Sequence, residues 1–284
     1  MTFLKRAITV TIGLPLVVLV VWHGDRFGGL PLLLFCAIAA VIGQRELYLA
    51  FSKQDRSIHS VGYLATAVYF CMIFAVHNFD SVSWYWLLIV LTAFIVLVQT
   101  CLVVFFRKLP VSECVTTIYG FLYVPFMLSF VVLVRMHDLG FYYVWLIFTA
   151  TFGCDSFAYF VGSLFGKKKL TKSPSPSKSV EGLIGGVIAA TLIGAGYGFA
   201  VSRFSAYPEN VQYMVLISTV VSFVGALFSI VGDLAASAVK RYCEIKDFGN
   251  VFPGHGGVMD RLDSIIIVAP MVYMVMNVMV WIML

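Results

Sequence analysis

Residues 83–106 read SWYWLLIVLTAFIVLVQTCLVVFF, with no Asp, Glu, Lys or Arg among them. At about 1.5 Å rise per residue, a helix of this length crosses the roughly 30 Å hydrocarbon core of a bilayer. Lipid offers the backbone no hydrogen-bond partner, so a single spanning segment must satisfy its own polar groups as a helix. Comparable runs recur on both sides of this one. Nine helices are expected, at about residues 6–22, 30–50, 61–77, 83–106, 115–135, 141–163, 182–202, 211–239 and 263–283. Composition agrees: the chain is 61% hydrophobic and 12% charged, with a mean hydropathy of +0.97, against about 45–50% and about 25% in soluble domains. No polar segment is long enough for a separate soluble domain. The expected fold is therefore an all-α polytopic membrane protein.

The charges then orient the helices. Of the 19 Lys and Arg residues, only Arg26, Arg135 and Arg203 fall on one side; the other sixteen lie on the side of the N-terminus. Cytoplasmic loops carry the excess of Lys and Arg, so the N-terminus is expected in the cytoplasm and the C-terminus on the opposite side. Lys5-Arg6 before an apolar run resembles a signal peptide. No small-residue cleavage site follows near Trp22–Gly24, and the segment is read as an uncleaved first helix. The six cysteines are scattered without a C-x-x-C pair and read as small buried hydrophobes.

One stretch is unlike the rest. Residues 237–263, SAVKRYCEIKDFGNVFPGHGGVMDRLD, place Lys240, Arg241, Lys246, Asp247, His255, Asp260, Arg261 and Asp263 within one short connection. Gly254, Gly256 and Gly257 bracket the histidine and permit a sharp turn close to a ligand. Cations, a glycine turn and carboxylates together suit an anionic ligand held through a divalent metal, and phosphate fits best. The plainer reading is a solvated loop, but the density of chemically different groups argues against it. Asp233, Ser237 and Lys240 fall on one helical face, and Asp260 and Asp263 lie three apart at the start of the last helix, where the dipole favours anions.

A second polar centre surrounds helix 141–163. Asp155 lies inside it, where a carboxylate costs about 2.5–3.5 kcal/mol on insertion scales and should meet a polar cavity or partner. A protonated Asp155 bonded to Tyr159, four residues on, is the alternative. The following loop, GKKKLTKSPSPSKSVE over 166–181, presents Lys167, Ser177, Lys178, Ser179 and Glu181 from a segment stiffened by proline. Its lysines also serve the positive-inside pattern or anionic lipid. The next helix carries Gly182, Gly186, Ala190, Gly194 and Gly198, a small residue at every fourth position, which reads as close helix packing. Gln44-Arg45-Glu46, at the end of an early helix, reads as an interfacial ion pair. Residues 1–140 are expected to form a scaffold or oligomer contact, a homodimer included. Residues 141–284 are expected to form the functional region, with cytoplasmic loops 164–181 and 240–262.

These motifs resemble the signature of phosphatidate cytidylyltransferases, the CDP-diacylglycerol synthases. The resemblance rests on Ser237, Lys240-Arg241, Lys246-Asp247, Pro253, His255-Gly256-Gly257 and Asp260-Arg261-Leu262-Asp263. Asp155…Ala158-Tyr159, Gly166-Lys167 and Ser175-Pro176-Ser177-Lys178…Glu181-Gly182 extend it. The family segment reads roughly Ser-Pro-Lys-Lys-Thr-x-Glu-Gly; here Ser177 replaces its first Lys, and Ser179 replaces the Thr while keeping a hydroxyl. The resemblance covers Asp155 to Ser264. It implies that CTP and phosphatidate give CDP-diacylglycerol and pyrophosphate, with Mg²⁺, alone or with a second cation. By resemblance, Asp233 and Asp260 are the metal ligands and, with Lys240, the catalytic residues. Arg241, Lys246 and Arg261 bind phosphates, and Asp155, Lys167, Ser177, Lys178, Ser179, Glu181, Ser237, Asp247, His255, Gly256, Gly257 and Asp263 complete the substrate site. The bilayer is a partner and nucleic acid is not. A bacterial inner membrane with a cytoplasmic site is the expected location. The competing reading is an ion-coupled transporter or channel with Asp155 on its path.

Overall fold

The computed structural model describes residues 13, 15–24, 26–52, 58–170, 175, 178–204, 213–252, 254 and 256–283. Eight helices among these are long and apolar enough to cross a membrane: α1 (Arg26–Ser52), α2 (His59–Asn78), α3 (Tyr85–Val104), α4 (Val111–Arg135), α5 (Gly140–Phe165), α6 (Val180–Phe204), α7 (Met214–Tyr242) and α8 (Met259–Met283). Each matches a helix expected from the sequence. Of the expected first helix, residues 15–22 are helical and the earlier part lies mostly outside the described residues. The chain is an all-α integral membrane protein.

The chain divides into two compact units, Met1–Val132 with Cys243–Arg261, and Leu133–Tyr242 with Leu262–Leu284. The charged stretch after α7 is thus grouped with the N-terminal helices. Within the first unit, α1, α2, α3 and α4 pack through an aromatic core: Phe121 is fully buried, 4.6 Å from Phe94 and 5.7 Å from Tyr69 between ring centroids. A π-helical turn, Leu122–Phe126, interrupts α4 and contains Pro125. Proline lacks the amide that an α-helical ladder needs, and a wider turn absorbs the missing bond. The start of α1 is also irregular, with left-handed backbone at Phe27, Gly28 and Gly29, and Asn78 donates its side-chain amide to the Gly28 carbonyl at 3.0 Å.

In the second unit, α6 packs against both α5 and α7. The small-residue stripe makes this possible, because Gly182, Gly186, Ala190, Gly194 and Gly198 are all buried. A Cβ at Gly186 would lie 2.6 Å from the Cys154 carbonyl of α5, and one at Gly198 would lie 2.7 Å from the Met214 carbonyl of α7. Lipid supplies no hydrophobic drive between helices, so this backbone approach and its dispersion contacts supply the packing energy.

Candidate active site

In the second unit, four ionisable groups from four separate segments gather. Gly232 of α7 meets α8 so closely that a Cβ there would lie 2.8 Å from the Asp263 carbonyl. That approach sets Asp233 and Asp263 near one level. Lys178, just before α6, places its ammonium on Asp233 in an ion pair whose two side chains are 21% and 28% exposed. The same ammonium feels the carboxylates of Asp155 and Asp263. Partial burial pushes the Lys178 pKa below the usual lysine range, and those carboxylates push it back up. Asp155, on α5, is accessible from outside the helix packing, with Lys178 and the Ser229 hydroxyl beside it. Ser229 is buried, and its carbonyl accepts the Ser264 hydroxyl at 3.3 Å. Three carboxylates thus share one ammonium.

The loop carrying Lys178 is held by its backbone. Leu170 N donates to Lys178 O, and Val180 N to Lys168 O, each at 2.9 Å. Glu181 accepts the backbone amides of Lys167 at 3.1 Å and Lys168 at 3.2 Å, and Ser179 accepts the Gly182 amide at 3.2 Å, capping α6. Glu181 and Ser179 therefore shape the loop that presents Lys178. The side chains of Lys167, Lys168 and Lys169 are exposed. Ser177 lies outside the described residues.

The stretch after α7 folds around two carboxylates of the first unit. Asp260 accepts the backbone amides of Phe248 at 2.8 Å and Gly257 at 2.9 Å on one oxygen, Oδ2. Phe252 N donates to Gly256 O at 2.9 Å, closing the turn, and Gly254 and Gly256 take φ of 81° and 83°, the left-handed backbone that glycine tolerates. Glu46 of α1 supplies the second carboxylate. It is 6% exposed and accepts Val258 N at 3.1 Å and Met259 N at 2.8 Å, at the start of α8. Gln44-Arg45-Glu46 is therefore no interfacial ion pair. Gln44 is fully buried, receiving the Thr66 hydroxyl at 2.8 Å and donating to the Tyr48 hydroxyl at 2.7 Å, while Arg45 is exposed. Glu46 was missed because it looked terminal, yet α1 continues to Ser52. A carboxylate inside an apolar helix was the available signal.

Of the remaining expected residues, Arg241, Lys246, Asp247 and Arg261 are exposed, whereas Ser237 and Lys240 are partly covered on α7. His255 and Pro253 lie outside the described residues. Asp233 belongs to the second unit and Asp260 to the first. Among the described residues, no three His, Cys, Asp or Glu side chains are grouped to hold a metal ion. The donor chemistry of the expected ligands still fits a hard cation, because Asp233 and Asp260 offer only oxygen.

The fold defines a polytopic membrane protein in which Asp155, Lys178, Asp233 and Asp263 form a charged centre. The chain belongs to the cytidylyltransferase family, whose model matches residues 4–279. It is similar to the phosphatidate cytidylyltransferase of Bacillus subtilis, 37% identical over 144 residues, or 51% of each chain. The enzyme of the same name from Thermotoga maritima is 36% identical over 161 residues, covering 55% of this chain and 57% of the relative. The similarity thus spans little more than half the length of these two relatives. With the Staphylococcus epidermidis phosphatidate cytidylyltransferase it extends over 248 residues at 29% identity, covering 86% of this chain and 89% of that one. The ion-path reading of Asp155 finds no support in these relationships.

Proposed function

We propose that the chain is a phosphatidate cytidylyltransferase, forming CDP-diacylglycerol and pyrophosphate from CTP and phosphatidate in phospholipid biosynthesis. The observation that carries this reading is the gathering of Asp155, Asp233 and Asp263 around Lys178, in a chain that matches the family almost end to end. A phosphate oxygen of the lipid attacks the α-phosphorus of CTP. The bond from that phosphorus to the oxygen bridging to the β-phosphate breaks, and pyrophosphate leaves with its electron pair. Little covalent work falls to the protein, so positioning and neutralisation of charge dominate.

Lys178, Lys240, Arg241, Lys246 and Arg261 are the cations assigned to the phosphates. Asp233 and Asp260 would hold Mg²⁺, alone or with a second cation. When bound, it would supply positive charge that favours departure of the pyrophosphate. Ser179 and Glu181 hold the Lys178 loop by backbone contacts, and Asp260 holds the glycine turn. The site faces the cytoplasm, where CTP is, and the membrane is a bacterial inner membrane. The functional particle is proposed to be a homodimer, with the N-terminal helices as its contact.

The test is product formation by the purified protein in detergent with labelled CTP. Pyrophosphate release should require both phosphatidate and Mg²⁺, with label entering the lipid phase. CTP turnover indifferent to phosphatidate, or none under any condition, would overturn the reading.

A further inference from the structure

We infer that Glu46 is a positioning residue for the reaction proposed above, a carboxylate of α1 that sets the glycine turn and Asp260 in register. The inference rests on that functional reading. Glu46 precedes its partners by 212 and 213 positions, yet both its oxygens are engaged, Oε1 by Val258 N at 3.1 Å and Oε2 by Met259 N at 2.8 Å. These amides immediately precede Asp260. Two glycines make room for the carboxylate. A Cβ on Gly249 would overlap Glu46 Oε1, and one on Gly257 would overlap both oxygens. Neither glycine has a positive φ, so backbone conformation does not demand them. The approach of Glu46 does.

Gly257 is the link. Its Cα faces Glu46 while its amide donates to Asp260 Oδ2 at 2.9 Å. The same Asp260 oxygen takes the Phe248 amide at 2.8 Å. A shift of the Glu46 carboxylate therefore displaces Gly257, Val258 and Met259 together, and Asp260 with them. Glu46 touches no substrate in this scheme; it acts through the turn. A carboxylate accepts at both oxygens, whereas a Gln side chain accepts at one and presents donors at the other, facing an amide that also donates.

Steady-state kinetics of E46Q, E46A and G257A test the proposal. E46Q should lower kcat about tenfold and E46A more, with KM for CTP within about twofold of wild type and with folded protein in detergent undiminished. G257A keeps the carboxylate but crowds it, and should lower kcat similarly. Amide exchange should rise at Val258 and Met259 in E46Q and stay unchanged along α3. Values of kcat within about twofold of wild type in E46Q and E46A, or in G257A, would overturn the inference. So would a fall in kcat that merely tracks lost folded protein, which would make Glu46 a structural residue. If wild type turns over no CTP, the functional reading fails and the exchange measurement alone decides whether Glu46 sets the turn.

Discussion

At the scale of single residues, Lys178 and Lys168 differ sharply although both belong to one basic loop. Lys178 uses its ammonium against Asp233, whereas Lys168 meets Glu181 chiefly through its backbone amide and its exposed ammonium acts only at a distance. Lys178→Ala should lower kcat/KM for CTP at least about tenfold, and Lys168→Ala should leave it within about twofold, read from initial rates. Equal effects would reduce the loop to an electrostatic anchor. Asp260 permits a cleaner separation. One of its oxygens takes both backbone bonds, and the carbonyl of an Asn can do the same. Asp260→Asn should keep the turn and lose the charge, so activity should vanish across a Mg²⁺ titration while the protein still folds. Asp233→Asn should behave alike, and the double variant should be hardly worse than either single, because residues acting as a unit are not additive. Full activity in either Asn variant would remove that aspartate from the metal site. The signature residues could be read from the chain because they are polar exceptions in an apolar background. Glu46 is such an exception too, but its role could not be read, because its partners are amides more than two hundred positions away and no local pattern announces a backbone partner.

Among elements, the α6 stripe was legible for the opposite reason. A four-residue period of small side chains has one physical use in a membrane, the close approach of neighbouring helices. The stripe serves both sides, meeting α5 through Gly186 and α7 through Gly194 and Gly198. Gly186→Ala should destabilise the protein in detergent by about 1–3 kcal/mol, since the added methyl meets backbone that cannot yield. Gly196 has nothing within 4 Å of a Cβ, and Gly196→Ala should be neutral or slightly stabilising, glycine being about 1 kcal/mol poorer than alanine within a helix. Melting of the two variants by intrinsic fluorescence compares them directly. The π turn of α4 escaped the sequence reading: Pro125 marks a disturbance, but proline alone does not say whether a helix will kink, stop or widen.

For the whole molecule, the helices followed from apolar run lengths, and the lysines and arginines predict their orientation. In a background without the native cysteines, a cysteine at Ser175 should react with an impermeant reagent only from the cytoplasmic side, and one at Tyr213 only from the opposite side. Matching reactivity at the two would overturn the orientation. The division of the chain was less legible, because residues 243–261 are grouped with helices that precede them by far. That grouping has a consequence for biogenesis. Glu46 leaves the ribosome 212 residues before the Val258 amide it will bind. At about 5–20 residues per second, this carboxylate waits about 10–40 s in the nascent chain without its final partners. Throughout that interval the early helices must be tolerated by the insertion machinery in an unfinished state. A messenger truncated anywhere before codon 258 should therefore yield a product recognised as defective, however many complete membrane spans it contains.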